Sequence, residues 1–278
     1  MTIAISIKVN DGIVLAADSA SSMIIKNNDG SSGVINVYEN GNKVANLHKD
    51  IPVGIITWGA GSIGVASTST LIKDFRKLIT EDPEHKIDPE SYTVEEIAHK
   101  FFDFIYNDHY QQEFEAWESI QRPSLGFIIA GYSTGATLAE QWQIDILEGG
   151  FSHGPFISRD KEEVGATWSG APEAISRLVL GYSENFPNVL LMSGVEPEQV
   201  GKIMRVASEV VQAPIFIPAM PIKDAIDIAH FLVDTTIKYV KYNPGPNTVG
   251  GPIEIAAITK HEGFKWITRK HYFNNDIN

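Results

Sequence analysis

The chain has 278 residues, 43% of them hydrophobic, which is enough to bury a large core as one domain spanning 1–278. It carries 35 acidic against 22 basic residues, a formal charge of −13, and this disfavours a nucleic-acid or anionic-membrane surface. The absence of cysteine excludes disulfides and thiolate metal sites, and with no apolar run of about 18 residues and no secretory segment the expectation is a cytoplasmic protein with no membrane partner.

Met1 and Thr2 lead directly into Ile3–Val9, where Ile3, Ile5, Ile7 and Val9 alternate onto one face of a strand. Asn10, Asp11 and Gly12 are a tight-turn signature ahead of a second apolar run at 13–17. A hairpin is predicted, and it brings Asp18, at its end, close in space to Thr2. After a polar, glycine-rich stretch at 27–33, a third apolar segment at 43–47 places Lys43 at the beginning of a strand. The buried run at 53–56 continues through Trp58, Gly59, Ala60 and Gly61 and reads as a strand turning into a helix.

That helix, 63–80, carries Val65, Leu71, Ile72, Phe75 and Leu78 on its apolar side. A second helix at 94–120 follows the punctuation of Asp82-Pro83 and Asp88-Pro89, giving a helical extension around 82–122. Strands at 125–132 and 142–147 come next, then helices at 172–182, 197–211 and 222–240, then strands at 253–259 and 264–270. Strands, helices, strands, helices and strands in this order predict an α+β chain folded as a four-layer αββα sandwich, two antiparallel sheets flanked by helices.

Removal of Met1 would leave Thr2 with a hydroxyl and a free α-amine on one residue. An α-amine has a reference pKa of about 8, low enough to take the hydroxyl proton directly or through a water. Taken singly, each candidate has an ordinary reading. A Met-Thr start is a plain terminus, Asp18 and Lys43 are an inter-strand ion pair, and Gly59 and Gly61 permit close helix–strand packing. Ser169 ahead of Gly170 reads as the cap of the 172–182 helix. The eight histidines are scattered with no ligand spacing, so no metal site and no cofactor is expected. The carboxylates of 81–96 and 113–118 read as a solvated face.

Taken together, Thr2, the block Val14-Leu15-Ala16-Ala17-Asp18-Ser19, the block Gly41-Asn42-Lys43-Val44 and the segment Trp58-Gly59-Ala60-Gly61 resemble the β-type subunits of proteasomes and their bacterial homologues, threonine peptidases among the N-terminal-nucleophile (Ntn) hydrolases. The resemblance covers most of the chain, with a longer and more divergent middle and end. It implies the Ntn-hydrolase fold, Thr2 as nucleophile, Lys43 as the cation beside it and Asp18 as the partner of that lysine. It further implies that the Gly59 amide donates to the developing oxyanion, an interaction type worth about 3–4 kcal/mol, and that the Ser169 hydroxyl stands beside the threonine amine. A homo-oligomeric ring with enclosed threonines, peptide or unfolded-protein substrates, and an ATPase unfoldase as a further partner belong to the same implication.

Two departures from that pattern stand out. Aligned on Gly250-Gly251, Pro246 and Val249 occupy the places of an acid and a hydroxyl, with Asn247 and Thr248 as the alternative donors; Ala20 stands where an arginine is usual. The expected function is a threonine-type endopeptidase. The alternatives are an Ntn amidohydrolase for a small amide and a non-catalytic structural ring subunit.

Overall fold

A computed structural model describes residues 2–26 and 32–270. The expected processing of Met1 and most of the glycine-rich stretch therefore lie outside the described residues. β1 (Ile3–Val9) and β2 (Gly12–Ala17) pair antiparallel as the alternation predicts, with Ile5 opposite Ala16. β3 (Ser21–Lys26) and β4 (Ser32–Tyr38) form a separate hairpin that the polar sequence between them concealed. β5 (Val44–Asn46) and β6 (Val53–Gly59) follow, Lys43 standing immediately before β5 as expected.

The predicted passage from strand straight into helix at 63 is corrected. The chain first makes the two-residue ladder of β7 (Ser62–Ile63) and β8 (Ala66–Ser67), turning through Gly64 at φ +56°, and α1 (Thr68–Glu81) starts only there. Ser67 is the reason for the start: its Oγ accepts from Thr70 N at 3.1 Å, satisfying an amide the first turn leaves unpaired. Val65, expected on the apolar side, is exposed in the turn.

The single helix at 94–120 is also corrected. α2 (Val94–Phe102), capped by Thr93, passes into a widened π-helical stretch (Asp103–Tyr110), a short α3 (Gln111–Phe114) and a 3-10 turn (Ser119–Gln121). Ile105 and Tyr110 are both buried although five positions apart. A wider turn returns them to the same face, which a regular 3.6-residue turn would not.

The chain continues through β9 (Leu125–Gly131), β10 (Glu140–Ile146), β11 (Phe156–Arg159), β12 (Gly165–Gly170), α4 (Glu173–Val179), α5 (Phe186–Met192), α6 (Pro197–Val210), α7 (Ile222–Tyr242), β13 (Glu254–Thr259) and β14 (Gly263–Thr268). Two five-stranded sheets result, ordered β12-β1-β2-β13-β14 and β11-β10-β9-β6-β5, and every pairing within them is antiparallel. The protein is thus α+β.

Three apolar clusters account for the packing. One sets α1 and α2 on the second sheet, with the Phe101 ring 5.0 Å from Phe75 and 4.9 Å from Phe127. Another sets α4 and α7 on the first sheet through Ile3, Ile5, Ile7, Ile175 and Ala229. The third draws Ala4, Leu15 and Ala17 of the first sheet together with Ile56, Ile128 and Ala130 of the second. Because strand side chains alternate, the odd positions of β1 face helices while Ala4 faces the other sheet, and Thr2 shares the parity of Ala4. Among the described residues no helix is long and apolar enough to cross a membrane.

Candidate active site

Antiparallel pairing collects Thr2, Asp18 and Ser169 at one end of the first sheet. The start of β1, the ends of β2, β12 and β14 and the start of β13 all lie there. These positions carry Thr2, Asp18, Ser169, Gly170, Glu254 and Lys270. The second sheet contributes the start of β5, bearing Lys43, whose carbonyl accepts from Thr57 N at 3.0 Å.

Asp18 is fully buried and its two carboxylate oxygens each accept two hydrogen bonds. Oδ1 takes Ile3 N at 3.0 Å and Lys43 Nζ at 2.6 Å, while Oδ2 takes Ala20 N at 3.0 Å and Gly250 N at 2.9 Å. One of these donors is the amide directly following Thr2, so the hairpin does bring Asp18 to the head of β1. Lys43 is buried beside it. Burial holds the Lys43 ammonium below the ordinary lysine value; Asp18 opposes that drop and the second ammonium of Lys270 adds to it.

Lys270 and Glu254 were passed over in the sequence. Glu254 Oε2 accepts from Lys43 N at 3.3 Å and lies 3.5 Å from Lys270 Nζ, and both side chains are buried. Lys270 Nζ also donates to Ser19 Oγ at 2.7 Å and to Gly41 O at 2.5 Å. Desolvation lowers its proton affinity, with Glu254 opposing. An acid inside the apolar run Ile253, Glu254, Ile255, Ala256 was the available signal, since a charge is buried only with a partner.

Ser169 lies opposite Ala4 in the β12–β1 ladder and so shares the face of Thr2. The cap reading of this serine is corrected: it lies within β12, and α4 starts only at Glu173. Gly170, next to it, has φ +100°, and a Cβ there would sit 1.9 Å from Thr2 O. Only glycine permits that approach. The turn before β12 is held by Lys8, whose buried Nζ donates to the carbonyls of Asp160 and Lys161, both at 2.8 Å, and of Glu163.

Gly59 closes β6 at φ +88°, and a Cβ on it would meet Ser124 O at 2.5 Å and Leu125 Cα at 2.7 Å. Close strand–strand approach, rather than helix–strand packing, is therefore sufficient reason for a glycine here. Near the glycine pair, Val249 is buried among the helix-facing apolar residues and Pro246 and Asn247 are exposed, so this loop reaches Asp18 through backbone: Gly250 N binds the carboxylate and Gly250 O accepts from Ser19 N at 2.9 Å. Thr248 is buried, and its Oγ1 has no hydrogen-bond partner among the described residues. A cavity of about 430 Å³ lined by Arg159, Trp168, Leu180, Gln212 and Phe216 contains none of the candidate residues.

No protein-family model and no curated protein matches the chain. Solved structures do. Anbu (ancestral beta-subunit) from Yersinia bercovieri is similar at 14% identity and a TM-score of 0.51, covering 97% of this chain and 88% of that one. Anbu from Hyphomicrobium sp. strain MC1 gives 14% identity and a TM-score of 0.51 over 98% and 88% of the two chains, and a mutant form of it gives 0.53 over 99% and 88%. The likeness is one of fold. It corrects the resemblance read from the motifs: these solved neighbours are Anbu proteins, and neither a family model nor a curated protein places the chain among the proteasome β-type subunits or their bacterial homologues.

Proposed function

We propose that the chain is a threonine-type amide hydrolase with an Anbu-like Ntn-hydrolase fold, acting on peptides or unfolded polypeptides, with Thr2 as nucleophile once Met1 is removed. The observation that carries this reading is the buried Asp18–Lys43 pair, bonded to the amide that follows Thr2. In the reaction, the Thr2 hydroxyl gives its proton to a base, either its own α-amine or Lys43, whose proton affinity is lowered by burial and restored in part by Asp18. The alkoxide attacks the amide carbonyl, and the oxyanion is stabilised by backbone amide donation, assigned to Gly59. Collapse breaks the C–N bond as the protonated base gives its proton to the leaving nitrogen, which releases the amine and leaves an ester on Thr2. Water then hydrolyses the ester, with Ser169 relaying protons beside the amine.

The same proposal includes one domain over 1–278 with a helical extension around 82–122, layered as αββα, and assembly into a homo-oligomeric ring. Three apolar clusters, two between helices and a sheet and one drawing on both sheets, support the layering. Met23, Ile24, Ile25, Ile35 and Tyr38, exposed on the β3–β4 hairpin, support association, since monomers seldom present apolar residues so concentrated.

Native and intact-mass spectrometry before and after exposure to a peptide epoxyketone, whose stable ring needs both the hydroxyl and the free amine of a terminal threonine, tests the reading. Loss of Met1, a ring mass and one adduct per chain, absent from Thr2→Ala, are expected. A retained Met1, or a free Thr2 that never reacts, would overturn the proposal in favour of the small-amide hydrolase or the non-catalytic ring subunit, the latter being the reading that Val249 in the core favours.

A further inference from the structure

The amine of Lys270 makes contacts that join two separate parts of the site. Through Ser19 Oγ it is tied to the residue after Asp18, and through Gly41 O to the segment that leads into Lys43. Ser19 and Gly41 are themselves linked, Gly41 N donating to Ser19 O at 2.8 Å. Glu254 completes the connection, its Oε2 facing Lys270 Nζ and the backbone amide of Lys43. Stability alone is a weak reason for a buried ion pair, since apolar replacements are often neutral or better. Here each partner bonds a segment that carries a member of the Asp18–Lys43 pair. We propose that Glu254 and Lys270 are positioning residues of the active site, a second ion pair that holds Lys43 against Asp18.

The inference rests on the reading of Lys43 as part of the site, and it couples an electrostatic signature at Lys43 to the rate profile, which mere scaffolding would leave in place. The charges facing Lys43 are Asp18 at the end of β2, Glu254 at the start of β13 and Lys270 beyond β14. Replacing Lys270 by Met removes a cation and frees Glu254 to act on Lys43 alone, so the proton affinity of Lys43 rises. Glu254→Gln removes an anion and leaves Lys270 unopposed, so it falls. The double variant returns towards the starting value, and Lys270→Arg, which keeps the charge, stays near it.

The test measures two things on the full chain: the titration of Lys43 by NMR of lysine labelled with ¹³C at Cε, assigned by Lys43→Arg, and the pH dependence of the peptide-epoxyketone reaction rate by intact mass. We expect Lys43 to titrate at higher pH in Lys270→Met and at lower pH in Glu254→Gln. The acid limb of the rate profile should move in the same directions, with the maximal rate falling about tenfold to a hundredfold for loss of alignment and recovering in Lys270→Arg. Opposite Lys43 shifts in an unreactive wild type would sink the hydrolase reading and the positioning role with it, leaving a structural ion pair. Titrations and profiles unmoved in folded Lys270→Met and Glu254→Gln, with a reactive wild type, would overturn the positioning role alone. If either single variant fails to fold, the double variant and Lys270→Arg decide: a changed profile in Lys270→Arg equal to that of the double variant refutes a role for the charge.

Discussion

Asp18→Asn is the perturbation whose cost follows most directly from the geometry. The carboxylate accepts four hydrogen bonds, two on each oxygen, in a fully buried position. An amide of the same shape has one oxygen. Its NH₂ group must therefore face two donors, either Ile3 N and Lys43 Nζ or Ala20 N and Gly250 N, and the buried Lys43 ammonium loses its counter-ion. Each unsatisfied buried group costs about 1–3 kcal/mol, and removing one partner of a buried ion pair costs about 3–5 kcal/mol. These overlap, so the expected loss is about 3–5 kcal/mol rather than their sum.

The loss should also depend on pH in a definite direction. Burial already holds Lys43 below its unfolded value, and without Asp18 to oppose it the folded value drops further. Between the folded and unfolded values the unfolded chain binds the extra proton, so stability rises with pH across that window, and the window is wider in the variant. Guanidinium unfolding at fixed protein concentration at pH 7 and pH 9.5 should thus show a deficit that narrows at the higher pH. A deficit below about 1 kcal/mol, or one that widens with pH, would refute the account of a buried, four-coordinated carboxylate. Pairing the change with Lys43→Met should restore part of the loss, since no orphan charge then remains.

Two further expectations come from backbone geometry and a buried amine. Gly170→Ala should destabilise the fold by at least about 1–3 kcal/mol from its φ of +100° alone and displace Thr2 as well, because the new Cβ would lie 1.9 Å from Thr2 O. Denaturant unfolding and the epoxyketone rate check it, and wild-type values for both would refute the close approach of β12. Lys8→Met should leave the carbonyls of Asp160, Lys161 and Glu163 unpaired, costing about 2–4 kcal/mol. Hydrogen exchange in the turn before β12 should accelerate with it, and unchanged exchange there would show that the amine does not hold that turn.

Local pattern settled the local structure. Alternation at Ile3, Ile5, Ile7 and Val9 with the turn at Asn10, Asp11 and Gly12 is enough to make the first hairpin, and a two-strand register then carries Asp18 to the head of β1. Where periodicity misled, a tertiary demand had altered it. Burial of both Ile105 and Tyr110 widened a helix, and the cap at Ser67 delayed another. What periodicity cannot contain is which distant strand end becomes a neighbour. Lys43 and Glu254 are 211 positions apart, Gly250 and Asp18 are 232 apart, and Ser19 and Lys270 are 251 apart. Their meeting follows from sheet order, with β13 beside β2 and β14 beside β13. The sequence by itself determined the first hairpin and most of the apolar faces, and it offered Thr2, Asp18, Lys43 and Ser169 as candidates. Only the tertiary structure decided that Asp18 is bonded by the Gly250 backbone and that Lys270 and Glu254 stand beside Lys43, because long-range pairing is chosen by the packing of whole sheets, and an acid in an apolar run marks a buried charge without naming its partner.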